Sequence, residues 1–100
     1  MDHNEICSAV DEVCSIIRRD PERIDFADVN SEFDRIAKAG LPIHRDAHLR
    51  EMRDRVYDRI ERLKNWPMSN SPERVGFVDE SVPFVGAIAV EAYVIDHPDK

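Results

Sequence analysis

Val82-Pro83-Phe84-Val85-Gly86-Ala87-Ile88-Ala89-Val90-Glu91-Ala92-Tyr93-Val94-Ile95 is the stretch whose reading decides the fold, and Glu91 is its one charged residue. Read with a period of two, Phe84, Gly86, Ile88, Val90, Ala92 and Val94 make the continuous apolar face of a strand. A strand of that length needs a partner, and within the chain only Arg74 to Val78 could supply one. Two strands alone are marginal in water. Read as a helix, the stretch is apolar on nearly every side, which marks either a central, buried helix or the seam of a dimer. Helix is therefore the expectation, and a C-terminal β-hairpin or an intermolecular sheet is the alternative.

Upstream of this stretch, Ser71-Pro72-Glu73 reads as a helix start, with Ser71 as cap and Pro72 in the first turn. Asp79-Glu80-Ser81 reads as its end, leaving room for one short element. A longer helix is expected from about Arg45 to Asn65. Leu49, Met52, Val56, Ile60 and Leu63 recur along it at helical spacing. Asp46–Arg50, Glu51–Arg55 and Asp58–Arg62 are spaced as i,i+4 ion pairs, acid first. Trp66-Pro67 ends this helix, and Met68 to Ser71 reads as loop.

Another helix is expected from about Asp25 to Ala39, burying Phe26, Val29, Phe33, Ile36 and Ala37. Gly40 stands where a left-handed cap is wanted, and Pro42 follows. The first helix is expected from Asn4 to Arg19, built on Ile6, Val10, Val13 and Ile17, with Asp2 or Asn4 as cap. Asp20-Pro21 stops it, and Pro21 to Asp25 is a turn. The fold predicted is thus all-α, one domain over residues 1–100, a bundle of about four helices. Three helices with a C-terminal hairpin are the alternative.

The chain has 100 residues, 42% apolar and 35% charged, which is the composition of a globular domain. Its net charge of −7 argues against direct nucleic-acid binding and against docking on anionic lipid. No apolar run reaches the ~18 residues of a membrane span, and the N-terminus lacks the basic region of a signal peptide. A cytoplasmic protein is expected. Charge is uneven along the chain. Residues 1–34 carry net −7, residues 35–64 net +4, and residues 65–100 net −4. His48, Arg55, Arg59 and Arg62 fall on one flank of the third helix. That flank is expected to pack beside the two acidic helices that precede it, because opposite charge favours one bundle topology. Asp25, Asp28 and Glu32 form an acidic ridge on the second helix, suited to steering a basic partner. Trp66, Met68, Phe77 and Val78 are candidates for an apolar lip.

Chemistry is thinly represented. His44 and His48 lie four apart and could share a metal if both were helical, but Arg45 stands where metalloprotease helices carry the general base. Cys7 and Cys14 on one helix are separated by about 10.5 Å of rise. A disulfide needs Cα atoms about 4.4–6.8 Å apart. Two buried or half-buried free thiols are expected instead. Glu91, amid apolar neighbours, must be paired, hydrogen-bonded or protonated, and an arginine of the third helix is its expected partner. No cofactor is implied. The function expected is that of a small, acidic, non-enzymatic protein-binding module. Such a module occludes a surface on a larger protein partner with basic ground of its own, such as a nucleic-acid-handling protein, as immunity, antitoxin or phage counter-defence proteins do. Asp25, Asp28, Glu32 and Trp66 are its expected partner-binding residues. One alternative is a structural or regulatory homodimer with Val82–Ile95 as seam. Another is a small metal-dependent or hydrolytic enzyme using His44, His48 and Glu91.

Overall fold

Four side-chain caps set the helix starts in the computed structural model, which describes residues 1–68 and 70–98. Asp2 accepts from the Glu5 amide (3.1 Å) at the head of α1 (His3–Ile17). Asp25 accepts from Ala27 (2.9 Å) at α2 (Phe26–Lys38). Asp46 accepts from Leu49 (3.0 Å) at α3 (Ala47–Lys64). Ser71 accepts from Arg74 (3.1 Å) at α4 (Pro72–Asp96). Each cap satisfies an amide that the helix itself leaves open and stabilises by about 1 kcal/mol. A 3-10 turn, Pro21–Arg23, joins α1 to α2. Gly40 takes φ +115°, which favours glycine, and ends α2 where expected. There is no strand among the described residues, so the hairpin alternative is set aside.

The predicted apolar stripes converge on one core. Ile6, Ala9, Val13 and Ile16 of α1 meet Val29, Phe33 and Ile36 of α2, and all are fully buried. Leu49, Val56, Ile60 and Leu63 of α3 and Val85, Ile88 and Ala92 of α4 complete it. Burying each large aliphatic side chain contributes about 1.5–3 kcal/mol. α1 packs on both α2 and α4, and α4 packs on α3. Tyr57 links α3 to α2. Its ring lies 5.2 Å from that of Phe33, and its hydroxyl donates to Asn30.

Three expectations are corrected. First, α4 is one continuous helix, with no break at Asp79-Glu80-Ser81. Arg74, Phe77, Val78, Ser81, Val85, Ile88 and Ala92 keep one inward face across that point, while Asp79 and Glu80 face out. Ser81 fits inside because its hydroxyl donates to the Phe77 carbonyl (2.7 Å) and accepts from Arg59 Nε (2.7 Å). Pro83 is carried within the helix. Second, α4 is not central; it buries one side and exposes the other. Third, of the three ion pairs read along α3, only Glu51–Arg55 closes, at 2.9 Å. Asp46 instead caps the helix.

One buried charge ties the ends together. Arg74, 4% exposed, donates from Nε and Nη2 to the Leu63 carbonyl (both 3.3 Å) and from Nη2 to the Arg19 carbonyl (3.2 Å). Those carbonyls stand at the C-terminal ends of α3 and α1, where the helix dipoles favour a cation. We predict that Arg74→Ala lowers stability by about 2–4 kcal/mol, since it opens a cavity and removes the guanidinium donors from the Leu63 and Arg19 carbonyls. Urea titration checks this; an unchanged midpoint would remove Arg74 from the account. Gly76, where an added Cβ meets open space, should gain about 0.5–1 kcal/mol on replacement by Ala, read by the same titration.

Candidate functional site

α4 is apolar on two opposite sides, and the bundle covers only one. Eight large apolar side chains are exposed among the described residues, and six of them lie on α4. They are Val75, Phe84, Val90, Tyr93, Val94 and Ile95, with Val90 the most exposed of the six at 63%. Projected at about 100° per residue, Pro83, Gly86, Ala87, Val90 and Val94 run down the side opposite Val85, Ile88 and Ala92. An added Cβ at Gly86 would meet nothing within 4 Å, so the glycine serves no close contact inside the bundle. The only charge between Glu80 and Asp96 is Glu91, and it turns toward α3, with Oε1 3.8 Å from His48 Nε2. The outer face is therefore uncharged through its middle.

A shallow groove of about 340 Å³ borders this face, lined by Met52, Arg55, Pro83, Phe84 and Ala87. It continues along α3 past Asp58, Arg59 and Arg62. Here the basic flank lies against α4 and not beside the acidic helices, which corrects the sequence expectation. Arg59 stacks over Phe77 (4.1 Å) and Phe84 (4.3 Å), and Arg62 over Phe77 (4.5 Å). Both aromatics sit on the side of α4 that α3 approaches, so cation–π contact decides the placement more than charge balance does.

The acidic ridge is largely engaged within the fold. Asp25 caps α2. Asp28 pairs with Arg19 at 2.8 Å, and Glu32 pairs with Arg35 at 2.6 Å. Arg35 also reaches Glu5 at 2.9 Å. Trp66 is half-buried with its ring 5.7 Å from that of Phe77, closing the end of the bundle. Phe77 and Val78 are buried, so of the expected lip only Met68 is well exposed.

The two histidines part company. His44 precedes α3, and its ring nitrogens contact Asp34 (2.9 Å) and Arg53 (2.8 Å). His48 is helical and faces Glu91, and it takes the place expected for an arginine of the third helix. Among the described residues no three His, Cys, Asp or Glu side chains gather as a metal site. Cys7 and Cys14 are both free. Cys14 is buried as expected, but Cys7 is exposed, because it falls off the face set by Ile6, Ala9, Val10 and Val13.

No protein family matches the chain by sequence, and neither a curated protein nor a solved structure matches it. The outer face of α4 thus stands on its own geometry. It was half legible in the sequence. The all-round apolarity of Val82–Ile95 showed apolar surface on more than one side but could not say which side the bundle takes.

Burial pushes the Cys14 thiol above its ordinary pKa, against the pull of Arg18. Because the thiolate is the nucleophile, we predict that one thiol, Cys7, reacts promptly with a disulfide reagent near neutral pH. Cys14 should react only as the chain unfolds. Two equally fast thiols in the native protein would contradict this burial.

Proposed function

We propose that the chain is a small, non-enzymatic protein-binding module that covers an apolar surface on a larger partner, and that it docks through the outer face of α4. Inhibitors, immunity proteins, antitoxins and phage counter-defence proteins work by this kind of occlusion. The observation that carries the reading is the concentration of exposed apolar side chains on one helix. A single exposed valine is ordinary, but a contiguous uncharged patch on a charged chain is a contact surface. The net charge of −7 supports a partner with basic ground around its own apolar patch, since complementary fields speed encounter. Asp25, Asp28 and Glu32 contribute to that field, while the local anchors are Val90 and Val94. The free thiols fit a reducing, cytoplasmic setting.

The test compares two charge changes on opposite parts of the molecule. Val90→Lys should leave the fold intact, because the side chain is mostly in solvent and surface changes alter stability by only about 0.5 kcal/mol. We predict that proteins captured from host extract by the wild-type chain are lost with Val90→Lys and kept with Asp28→Lys. The opposite pattern, loss with Asp28→Lys and retention with Val90→Lys, would return the docking site to the acidic ridge.

A further inference from the structure

Resting on the reading that α4's outer side is the docking face, we infer that its resting occupant is a second copy of the chain, with the two α4 helices antiparallel and centred on Ile88. The face complements itself in that register. Reversing the helix about Ile88 brings Gly86 opposite Val90 of the second copy, and Val90 opposite its Gly86. Gly86 is a hollow on the helix surface, open on its outer side. Val90, 63% exposed, is the knob that fits it. Helices approach most closely where one side chain is absent and the facing one is small and β-branched.

The same register brings Asp79 opposite His97 of the second copy. Asp79 is on the outer side of α4, and His97, the residue that follows the helix, stacks on Tyr93 (4.0 Å) at the edge of that side; both are exposed. They mark the two ends of the uncharged stretch, so an antiparallel pair places a carboxylate against an imidazole at each end. Pro83 and Tyr93 come to the same level between them. Sliding the copies until Val90 meets Val90 puts two knobs together and takes His97 away from Asp79. One register thus satisfies both the shape and the charge of the face.

The area sets the strength. The stretch from Asp79 to His97 rises about 27 Å, and a helix with side chains is about 10 Å across. Its mating buries on the order of 500 Å² per copy, at the low end for specific interfaces. Repulsion between two acidic chains is largely screened at physiological salt beyond about 8 Å, and the seam is uncharged in its middle. A weak dimer follows, which shields the face from water and which a partner with a larger apolar surface displaces.

Sedimentation velocity from about 5 to about 500 µM spans this regime. The wild-type chain should pass from monomer to dimer. Gly86→Leu fills the hollow and should weaken association by at least about tenfold while leaving the melting midpoint no lower. The register is read by mixing two single variants, Gly86→Cys and Val90→Cys, each in a Cys7→Ser background, under mild oxidation. The mixed Gly86→Cys/Val90→Cys disulfide should dominate. A wild-type chain that stays monomeric throughout, or cross-links dominated by Val90→Cys with itself, overturns the inference. If the chain is monomeric but Val90→Lys still loses the host partner, the docking face stands and only the second copy falls.

Discussion

A guanidinium buried where three helices meet is the constraint on which the rest of the molecule depends. Arg74 sits in the first turn of α4 and hydrogen-bonds the carbonyls of Leu63 and Arg19, at the ends of α3 and α1. An isolated buried cation is expensive, so it persists only where fixed dipoles surround it. Two helix C-termini supply them. The contact pins the start of α4 to both neighbours and fixes its rotation. From there the inward series Phe77, Ser81, Val85, Ile88 and Ala92 follows at helical spacing.

Fixing that rotation decides what α4 exposes. A helix apolar on one side would have ended as an ordinary wall of the bundle. α4 is apolar on both, so the rotation that buries Val85 and Ile88 turns Gly86, Val90 and Val94 outward. The cation–π contacts of Arg59 and Arg62 hold the α3 side of the same helix and stop it from rolling. Core and exposed apolar face are thus two consequences of one placement. The interior glycine of the outer side weakens the helix by about 1 kcal/mol and has no packing use within the bundle.

Much of the fold was legible in the sequence, and the reasons differ by element. Asp2 and Ser71 carry cap chemistry in a few residues, and Gly40 with Pro42 marks a helix end. The α3 stripe from Leu49 to Leu63 has one period and one face. What failed were inferences needing to know which element lies next door. The Arg55–Arg62 flank looked suited to the acidic helices, but its aromatic partners sit on α4. Arg74 stood out only as the start of a possible partner strand, because nothing local reveals that two carbonyl ends will converge on it. Asp79-Glu80 looked like a break because polar pairs often are, although the inward spacing from Phe77 to Val85 runs on through them. Within the site, Glu32 has its arginine three residues away, which sequence could have offered. Asp28 finds Arg19 only because the turn at Pro21–Arg23 folds α1 back on α2.

We propose that α4's outer face, and not the acidic face of α2, is the contact surface. A concentration series of amide ¹H–¹⁵N spectra tests it most directly, because each residue reports for itself. Dilution should move the signals of Gly86, Val90, Tyr93 and Val94, while those of Asp28 and Glu32 hold still. Shifts confined to α2 would contradict the placement; a spectrum unmoved throughout would remove the second copy from that face.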